Sequence, residues 1–399
     1  MRVRGTWKAA GVFLVAFLGY LTGLNPGVAF EDTGEMLAAA ATLGNTHPPG
    51  YPLYALSTKL AFLLPAGSPA FRGNILSAVL MSLSVLVLWR VALMLTGSQT
   101  AAVIAGASFL FSRTAWWQAG LSDKYPMITL FCALALMQLF RARPETGWKR
   151  ETLKAVSFGF LASGYHFMGL ILLFPLVILL FGRLTRRSLA IALVMGVLVM
   201  SPRIIYPPLR AGHTVPLLRA VPGNLGTWMD YEGARVYTKY NLLARAKPAE
   251  IARAMVKEVF TLPWGELGPV LLLSTIGIAW GIWSRNGPVI GVLIPAIAAN
   301  VVLALLYLDP EVQVGRYFLP SYWLLALLAG LGTGWLSARF GRKVGVATAV
   351  AAIVIEILSS AGYARRDMDY TAPDHVRNIL ATVPDPPLSW PGTIYGCFH

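Results

Sequence analysis

Residues 30–54, FEDTGEMLAAAATLGNTHPPGYPLY, place three carboxylates within five positions and then a lone histidine before a Pro-Pro-Gly turn. The acidic residues directly follow the first apolar run of the chain. From Glu31 to Leu43, apolar residues recur at helical spacing, which predicts an amphipathic helix lying along a membrane surface. Asp32 falls at or near the amino-terminal cap of this helix, where aspartate is common. The prolines end the helix, and the residues after them predict a second short, half-buried helix.

The composition is that of a membrane protein. Of the 399 residues, 56% are hydrophobic and 13% are charged, and the mean hydropathy is +0.62. Soluble domains carry about a quarter charged residues. The low charge density and the apolar runs near bilayer length therefore predict an all-α polytopic membrane protein. The net charge of +15 does not indicate nucleic-acid binding, because Lys and Arg lie mainly in the loops between apolar runs.

Eleven apolar runs predict a bundle of about 11 transmembrane helices, at 8–24, 74–95, 100–119, 124–140, 155–165, 167–181, 188–201, 267–284, 288–308, 317–337 and 343–362. The start MRVRGTWK also fits a secretory signal peptide, but the later spans favour a retained first helix with its amino terminus in the cytoplasm. The stretch 155–181 crosses either once or twice. Two short crossings, in a hairpin broken near His166, satisfy the positive-inside rule for the basic residues that follow.

The basic loops assign the remaining segments to two sides of the membrane. We expect one transmembrane domain over 1–362, whose external loops 25–73 and 202–266 form the active-site side, and a short extracytoplasmic tail over 363–399. Loop 202–266 carries nine Lys or Arg against five acidic residues. Long loops cross regardless of charge, so this excess does not overturn the orientation. A basic external loop suits the binding of a phosphate.

The opening stretch also carries a family resemblance. An acidic pair after the first helix, a surface helix and an HPP-type turn resemble the GT-C membrane glycosyltransferases, which take sugars from polyprenyl-phosphate carriers. EDTGEMLAAAATLGNTHPPGYPLY resembles more narrowly the D-S/T-G-E…HPPGYPLY signature of bacterial proteins related to protein O-mannosyltransferases. Further similar stretches are WWQAGLSDKYPMITLF (116–131), ASGYHFMGLILLFP (162–175), YPPLRAG (206–212), GNLGTW…Y (223–240) and GRYFLPSYWLLALLAGLG (315–332). The chain departs from the pattern at Asp123, usually Glu, and at Lys124, usually apolar.

The resemblance implies an inverting transfer, in which an acceptor hydroxyl attacks the anomeric carbon and polyprenyl phosphate leaves. It implies Asp32 as the general base, with Glu31 or Glu35 orienting it or binding the acceptor. The structural alternatives are helix capping for Asp32 and an ordinary solvated charge for Glu35. Asp32 and Asp123 together have the oxygen ligands for a divalent ion. Related O-mannosyltransferases nevertheless imply no metal, and no cofactor is expected besides the lipid-linked donor.

Four residues are candidates for binding the acceptor or the sugar. His47 precedes two prolines, which hold its ring on a stiff turn, although a packing or capping histidine fits equally. His166 lies in a predicted apolar hairpin, and an ionisable group at membrane depth usually lines a polar cavity. Its alternative is a buried, hydrogen-bonded histidine. Asp123 and Tyr237 complete the set, with helix capping as the alternative for Asp123.

Three basic residues are candidates for binding the donor phosphate. Arg210 and Arg316 lie at external ends of predicted helices, where a guanidinium can hold a phosphate with two hydrogen bonds. Interfacial snorkelling is the common alternative for such arginines. Lys239, in the segment VYTKY, is a further candidate.

The sequence leaves two competing functions open. A transporter or flippase for lipid-linked sugars also needs many helices and basic groups, but it does not require several acids at one external mouth. A non-catalytic membrane scaffold subunit would use the loop helices to bind a partner protein. The main interpretation is a glycosyltransferase of the bacterial inner membrane whose site faces the periplasm. Its partners are then the bilayer, a polyprenyl-phosphate sugar and an acceptor that hydropathy does not identify.

Overall fold

A computed structural model describes residues 2–30, 32–141, 148–166, 169, 186–210, 224–232, 249, 252–253, 256–257, 261–287, 289–306, 314–364 and 371. Within these ranges the chain is helical and contains no strand, which confirms the all-α fold class. Three predicted site residues, Glu31, Tyr237 and Lys239, lie outside the described residues. Most of the tail and the return of the hairpin predicted over 167–181 also lie outside them.

The helices are, in chain order, α1 Arg2–Leu21, α2 Thr33–Thr42, α3 Pro52–Ala61, α4 Pro69–Thr96, α5 Gln99–Leu110, α6 Arg113–Ala119, α7 Tyr125–Arg141, α8 Trp148–Tyr165, α9 Arg186–Leu209, α10 Leu225–Glu232, α11 Leu262–Leu267, α12 Val270–Trp283, α13 Ile294–Leu306, α14 Leu319–Phe340 and α15 Arg342–Ala364. A π-helical turn, Val289–Leu293, precedes α13. A 3-10 turn, Val314–Phe318, precedes α14.

Three described helical segments are long and apolar enough to cross a membrane, namely Pro69–Thr96, Gly315–Phe340 and Arg342–Ser360. Shorter apolar helices occur at Trp7–Leu21, Gln99–Leu110, Tyr125–Arg141, Leu193–Leu209, Val270–Trp283 and Gly291–Val302. The count of about 11 spans stays a prediction.

Two predicted helices have different limits in the structure. The run 100–119 is divided between α5 and α6, because Ser112 adopts an extended backbone between them. The run 188–201 continues as α9 to Leu209, through three prolines. Prolines are tolerated in membrane helices where neighbouring groups satisfy the freed backbone carbonyls. Helix α8 ends at Tyr165, immediately before the predicted break at His166.

The segment between α1 and α4 folds into the two short helices that periodicity predicts, α2 and α3, which pack against each other. Met36, Leu37 and Ala40 form the buried side of α2, as the helical spacing indicates. Helix α2 ends at Leu43, which adopts a left-handed backbone with φ of 52°. Asn74 of α4 donates to the carbonyl oxygens of Asn25 and Gly27 at 2.8 and 2.9 Å. The start of the loop is therefore fixed to the helix bundle.

Helix α14 is largely buried and packs on α5, α12 and α15. Glycines allow its close approach to α12. A Cβ at Gly277 would lie 2.1 Å from the carbonyl oxygen of Leu328, and a Cβ at Gly332 would lie 2.1 Å from that of Leu273. Small residues at helix contacts are typical of membrane bundles. The 3-10 turn that carries Arg316 is therefore continuous with a firmly packed helix.

Candidate active site

Asp32 lies just before α2, but its side chain makes no capping hydrogen bond. Its Oδ2 atom lies 2.8 Å from the Lys124 ammonium and 3.8 Å from Nη2 of Arg316. The Asp32 side chain is 27% exposed, whereas those of Lys124 and Arg316 are 2% and 10% exposed. The helix-capping interpretation thus does not account for this carboxylate, which faces solvent on one side and two buried cations on the other.

Asp123 completes a four-residue charged cluster with Asp32, Lys124 and Arg316. Its Oδ1 atom accepts a hydrogen bond from the Lys124 backbone at 2.6 Å and lies 3.5 Å from the Lys124 ammonium. Its Oδ2 atom lies 4.0 Å from Nη1 of Arg316. Both acids therefore contact both cations, and the formal charges of the cluster cancel. We refer to these four residues as the charged cluster.

Electrostatics favour the charged forms within this cluster. Burial alone would raise the pKa of Asp32, but Lys124, His47 and Arg316 together hold that pKa well below its ordinary value. Burial alone would lower the pKa of Lys124, but Asp123 and Asp32 raise it well above its ordinary value. Asp32 is consequently an anion and Lys124 a cation throughout the neutral pH range.

Three tyrosines form an aromatic wall around the cations. The Lys124 ammonium lies 4.6 Å from the ring centre of Tyr51 and 5.1 Å from that of Tyr125. The Arg316 guanidinium lies 5.7 Å from the ring centres of Tyr125 and Tyr317. Cations are attracted to the faces of such rings, and more strongly when they are shielded from water. Sequence reasoning did not assign these tyrosines, since only the folded chain brings their three segments together.

Glu35 and His47 form a second, adjoining pair. Glu35 Oε2 lies 2.8 Å from His47 Nδ1, and its other oxygen accepts a hydrogen bond from the His47 backbone. Burial opposes protonation of His47, but the carboxylates of Glu35 and Asp32 outweigh it and raise the pKa of His47 above its ordinary value. This pair anchors the Pro-Pro-Gly turn to α2 and orients the His47 ring beside that of Tyr51, with ring centres 5.2 Å apart.

The Pro-Pro-Gly turn is also fixed from α10. Gly50 has a φ of +79°, and a Cβ at this position would lie 2.6 Å from the Tyr231 hydroxyl oxygen. That hydroxyl donates to the carbonyl oxygen of Thr46. Only glycine fits both the left-handed backbone and the close tyrosine.

His166 borders the cluster through aromatic contacts. Its ring stacks on Tyr51 with centres 5.6 Å apart and lies 5.8 Å from the ring centre of Tyr125. Arg203 of α9 is also buried and donates to the Ser163 carbonyl oxygen at 3.2 Å. The sequence analysis did not single out Arg203. A signal was present, because an arginine inside an apolar helix is costly and is usually functional.

Arg210 is placed differently from Arg316. Its guanidinium donates to the carbonyl oxygens of Leu43 at 2.6 Å and Thr42 at 2.9 Å. These are end groups of α2, whose carbonyls lack partners within the helix. Arg210 therefore caps α2 in this structure, and its role in binding phosphate stays a prediction.

Glu266 of α11 binds Thr114 of α6, close to the turn that carries Arg316. It accepts hydrogen bonds from the backbone and the hydroxyl of Thr114, at 2.7 and 2.6 Å. A Cβ on Gly315 would lie 3.1 Å from that hydroxyl oxygen and 3.8 Å from Glu266 Oε1. Burial raises the pKa of Glu266, although the bonds from Thr114 oppose this. The sequence analysis missed this contact, because its partners are 152 residues apart.

The described part of the chain contains no group of three or more His, Cys, Asp or Glu side chains suited to a metal ion. The two acids of the charged cluster already have Lys124 and Arg316 as partners. The expectation that no metal takes part stays a prediction.

Residues 32–189 match the family model of the amino-terminal domain of the protein O-mannosyl-transferase TMEM260. The mouse (Mus musculus) protein O-mannosyl-transferase TMEM260 is 30% identical over 169 residues, which are 41% of this chain and 24% of the mouse protein. The match thus spans about a quarter of that relative. The match to the family model begins at Asp32, the partly exposed acid of the charged cluster.

Solved structures resemble nearly the whole chain. ArnT from Cupriavidus metallidurans, bound to undecaprenyl phosphate, has a TM-score of 0.59 and 15% identity, over 90% of this chain and 75% of that one. The apo oligosaccharyltransferase of Archaeoglobus fulgidus has a TM-score of 0.55 and 13% identity, over 90% and 56%. The chain therefore shares its fold with these two proteins. Identities this low show the fold alone and do not by themselves establish an activity.

Proposed function

We propose that this chain is a membrane glycosyltransferase, which moves a sugar from a polyprenyl-phosphate carrier to a hydroxyl of an extracytoplasmic acceptor with inversion. The observation that carries the proposal is the contact of Asp32 with Lys124 and Arg316 on a GT-C fold. The transfer needs a base for the acceptor hydroxyl and positive charge beside the leaving phosphate. The partly exposed carboxylate supports the first role, and the two cations support the second. The ArnT structure, which has the same fold, contains bound undecaprenyl phosphate, a ligand of the proposed donor class.

The proposed reaction assigns a role to each part of the cluster. The acceptor oxygen attacks the anomeric carbon, and the bond between that carbon and the phosphate oxygen breaks. The phosphate leaves with the bonding electrons, and the acceptor proton passes to the Asp32 carboxylate. Arg316 stabilises the charge that develops on the phosphate, and Asp123 holds Arg316 in place.

The residues around the cluster have supporting roles in this proposal. Glu35 holds His47, and the rings of His47 and His166 line the Tyr51 side of the site, where they bind acceptor or sugar hydroxyls. Glu31 would assist Asp32. Arg210, Lys239 and Tyr237 are retained as candidates for the donor and sugar sites. The proposed location is the inner membrane of a bacterium, with the site facing the periplasm.

The test compares cells that express the unaltered protein, Asp32→Asn or Glu151→Gln. Glu151 lies in α8 and pairs with Lys154, so Glu151→Gln is a matched acid-to-amide control. Mass spectrometry of extracytoplasmic glycoconjugates should show a sugar that depends on the protein, disappears with Asp32→Asn and persists with Glu151→Gln. Unchanged modification with normally inserted Asp32→Asn would exclude Asp32 as the base. Lipid-linked sugar that crosses vesicles without any modified acceptor would favour a flippase.

A further inference from the structure

The resting arrangement of Asp32 is unsuited to a general base. A base is most effective when its pKa is near the working pH. The Asp32 carboxylate instead has its Oδ2 atom 2.8 Å from Lys124 and 3.8 Å from Arg316, and its pKa is held low. An event that separates the carboxylate from these cations would raise its pKa towards the working pH and make it a stronger base.

The exposures of the three side chains indicate what that event is. Asp32 is 27% exposed, but Lys124 and Arg316 are only 2% and 10% exposed. Asp32 Oδ2 lies 2.8 Å from the Lys124 ammonium and 3.8 Å from Nη2 of Arg316, so a phosphate oxygen that replaced it would contact both cations.

We propose that Lys124 is a donor-phosphate-binding residue, and that the phosphate binds by replacing the Asp32 carboxylate on Lys124 and Arg316. This inference rests on the proposed function, and it adds Lys124 to the site together with an order of events. Donor binds first and frees Asp32, and the freed carboxylate then accepts the proton of the acceptor hydroxyl.

The charges of the cluster balance through this exchange. A sugar linked through phosphate to a polyprenyl chain is a phosphodiester with one negative charge, the same as the carboxylate that it replaces. Asp123 remains in contact with Lys124 at 3.5 Å and with Arg316 at 4.0 Å, so it keeps both cations in place. The two acids therefore differ in role: Asp123 is 2% exposed and fixed, and Asp32 is exchangeable.

The surroundings of Lys124 would also stabilise its charge when a different anion binds to it. Its ammonium has three donors in rotatable positions, and the faces of Tyr51 and Tyr125 stabilise its charge independently of either carboxylate. Its charge does not depend on Asp32 remaining in contact, because Asp123 is still its neighbour.

The experiment measures binding of undecaprenyl phosphate to the full chain in lipid nanodiscs, without acceptor. Asp32→Asn removes the competing anion and should tighten binding at least about fivefold. Lys124→Met should weaken binding about tenfold or more, as expected for the loss of a charge-assisted hydrogen bond, and Lys124→Arg should retain most of it. Glu151→Gln should bind like the unaltered chain.

Unchanged or weaker binding by a folded Asp32→Asn variant would overturn the exchange, while lipid binding by the unaltered chain would still support the proposed donor class. Absence of binding by the unaltered chain would count against the proposed function itself. A second readout needs no variant at Asp32. Carbodiimide labelling of Asp32 in the unaltered chain should rise when undecaprenyl phosphate is added, and a fall in labelling would contradict the release of the carboxylate.

Discussion

Thr114→Val tests how much the bond between Thr114 of α6 and Glu266 of α11 stabilises the fold beside the turn that carries Arg316. The substitution preserves side-chain shape but removes the hydroxyl that donates to Glu266 at 2.6 Å, and the backbone bond at 2.7 Å remains. Glu266 is 8% exposed, so water does not readily replace the lost donor. A hydrogen bond to a charged group contributes about 1.5–3 kcal/mol, and we expect a loss of about 2 kcal/mol in the free energy of unfolding.

Thr275→Val is the matched control. Thr275 lies on the exposed side of α12, and its hydroxyl donates only to the Leu271 carbonyl oxygen of its own helix at 2.9 Å. Its replacement should change stability by no more than about 0.5 kcal/mol. Both variants are compared by denaturant titration in detergent at pH 8, with undecaprenyl phosphate binding as the second assay. Gly315 lies beside the Thr114 hydroxyl, so lipid binding by Thr114→Val also tests whether the turn with Arg316 depends on this contact. Equal stability of the two variants would refute the role assigned to Glu266.

Three further predictions concern the first loop and the helix core. Because Glu35 raises the pKa of His47, their pair stabilises the fold fully below pH 6.5 and loses this contribution as pH rises through the raised value. The melting temperature should therefore fall as pH rises over this range, and His47→Gln should make the fall smaller. Gly50→Ala places a Cβ 2.6 Å from the Tyr231 hydroxyl oxygen, at a residue with positive φ. The same denaturant titration should show a loss of about 2 kcal/mol in the free energy of unfolding, and an unchanged free energy would contradict the close contact. Gly277→Val places a Cβ 2.1 Å from a backbone oxygen of α14. It should lower the free energy of unfolding by about 3 kcal/mol or prevent the helix bundle from assembling. A normal yield and melting temperature would disprove this packing.

The sequence predicted the local structure well where hydrophobic spacing determines it. Helices α2 and α3 and the span within α14 follow from the apolar pattern and from the turn at Pro48 and Pro49. The end of α8 at Tyr165 agrees with the break near His166 that the positive-inside rule favoured. The division at Ser112 was missed, because an apolar run does not reveal a single extended residue. The continuation of α9 through its prolines was missed because tertiary contacts outweigh their effect on an isolated helix.

The candidate site was predictable in part. The family resemblance directed attention to Asp32, Asp123 and Arg316, and the structure places these three side chains together. Lys124 was noted only as a departure from a pattern, because its contact with Asp32 joins residues 92 positions apart. Arg210 matched the pattern equally well, but its hydrogen bonds go to the end of α2. Residue types and their order in the sequence therefore identified the candidate residues. Only the structure showed that Arg316 belongs to the charged cluster and that Arg210 caps α2.

The glycine contacts between α12 and α14 make the two sides of the charged cluster unequally tolerant of substitution. At Gly277 and Gly332 the backbones of α12 and α14 are in direct contact, so larger side chains do not fit there. Arg316 therefore precedes a helix whose position is closely fixed. The opposite half is built from short helices and a turn, held by individual side-chain hydrogen bonds such as that of Glu35. Substitutions in residues 30–54 should therefore be tolerated better than substitutions at the α12–α14 contact.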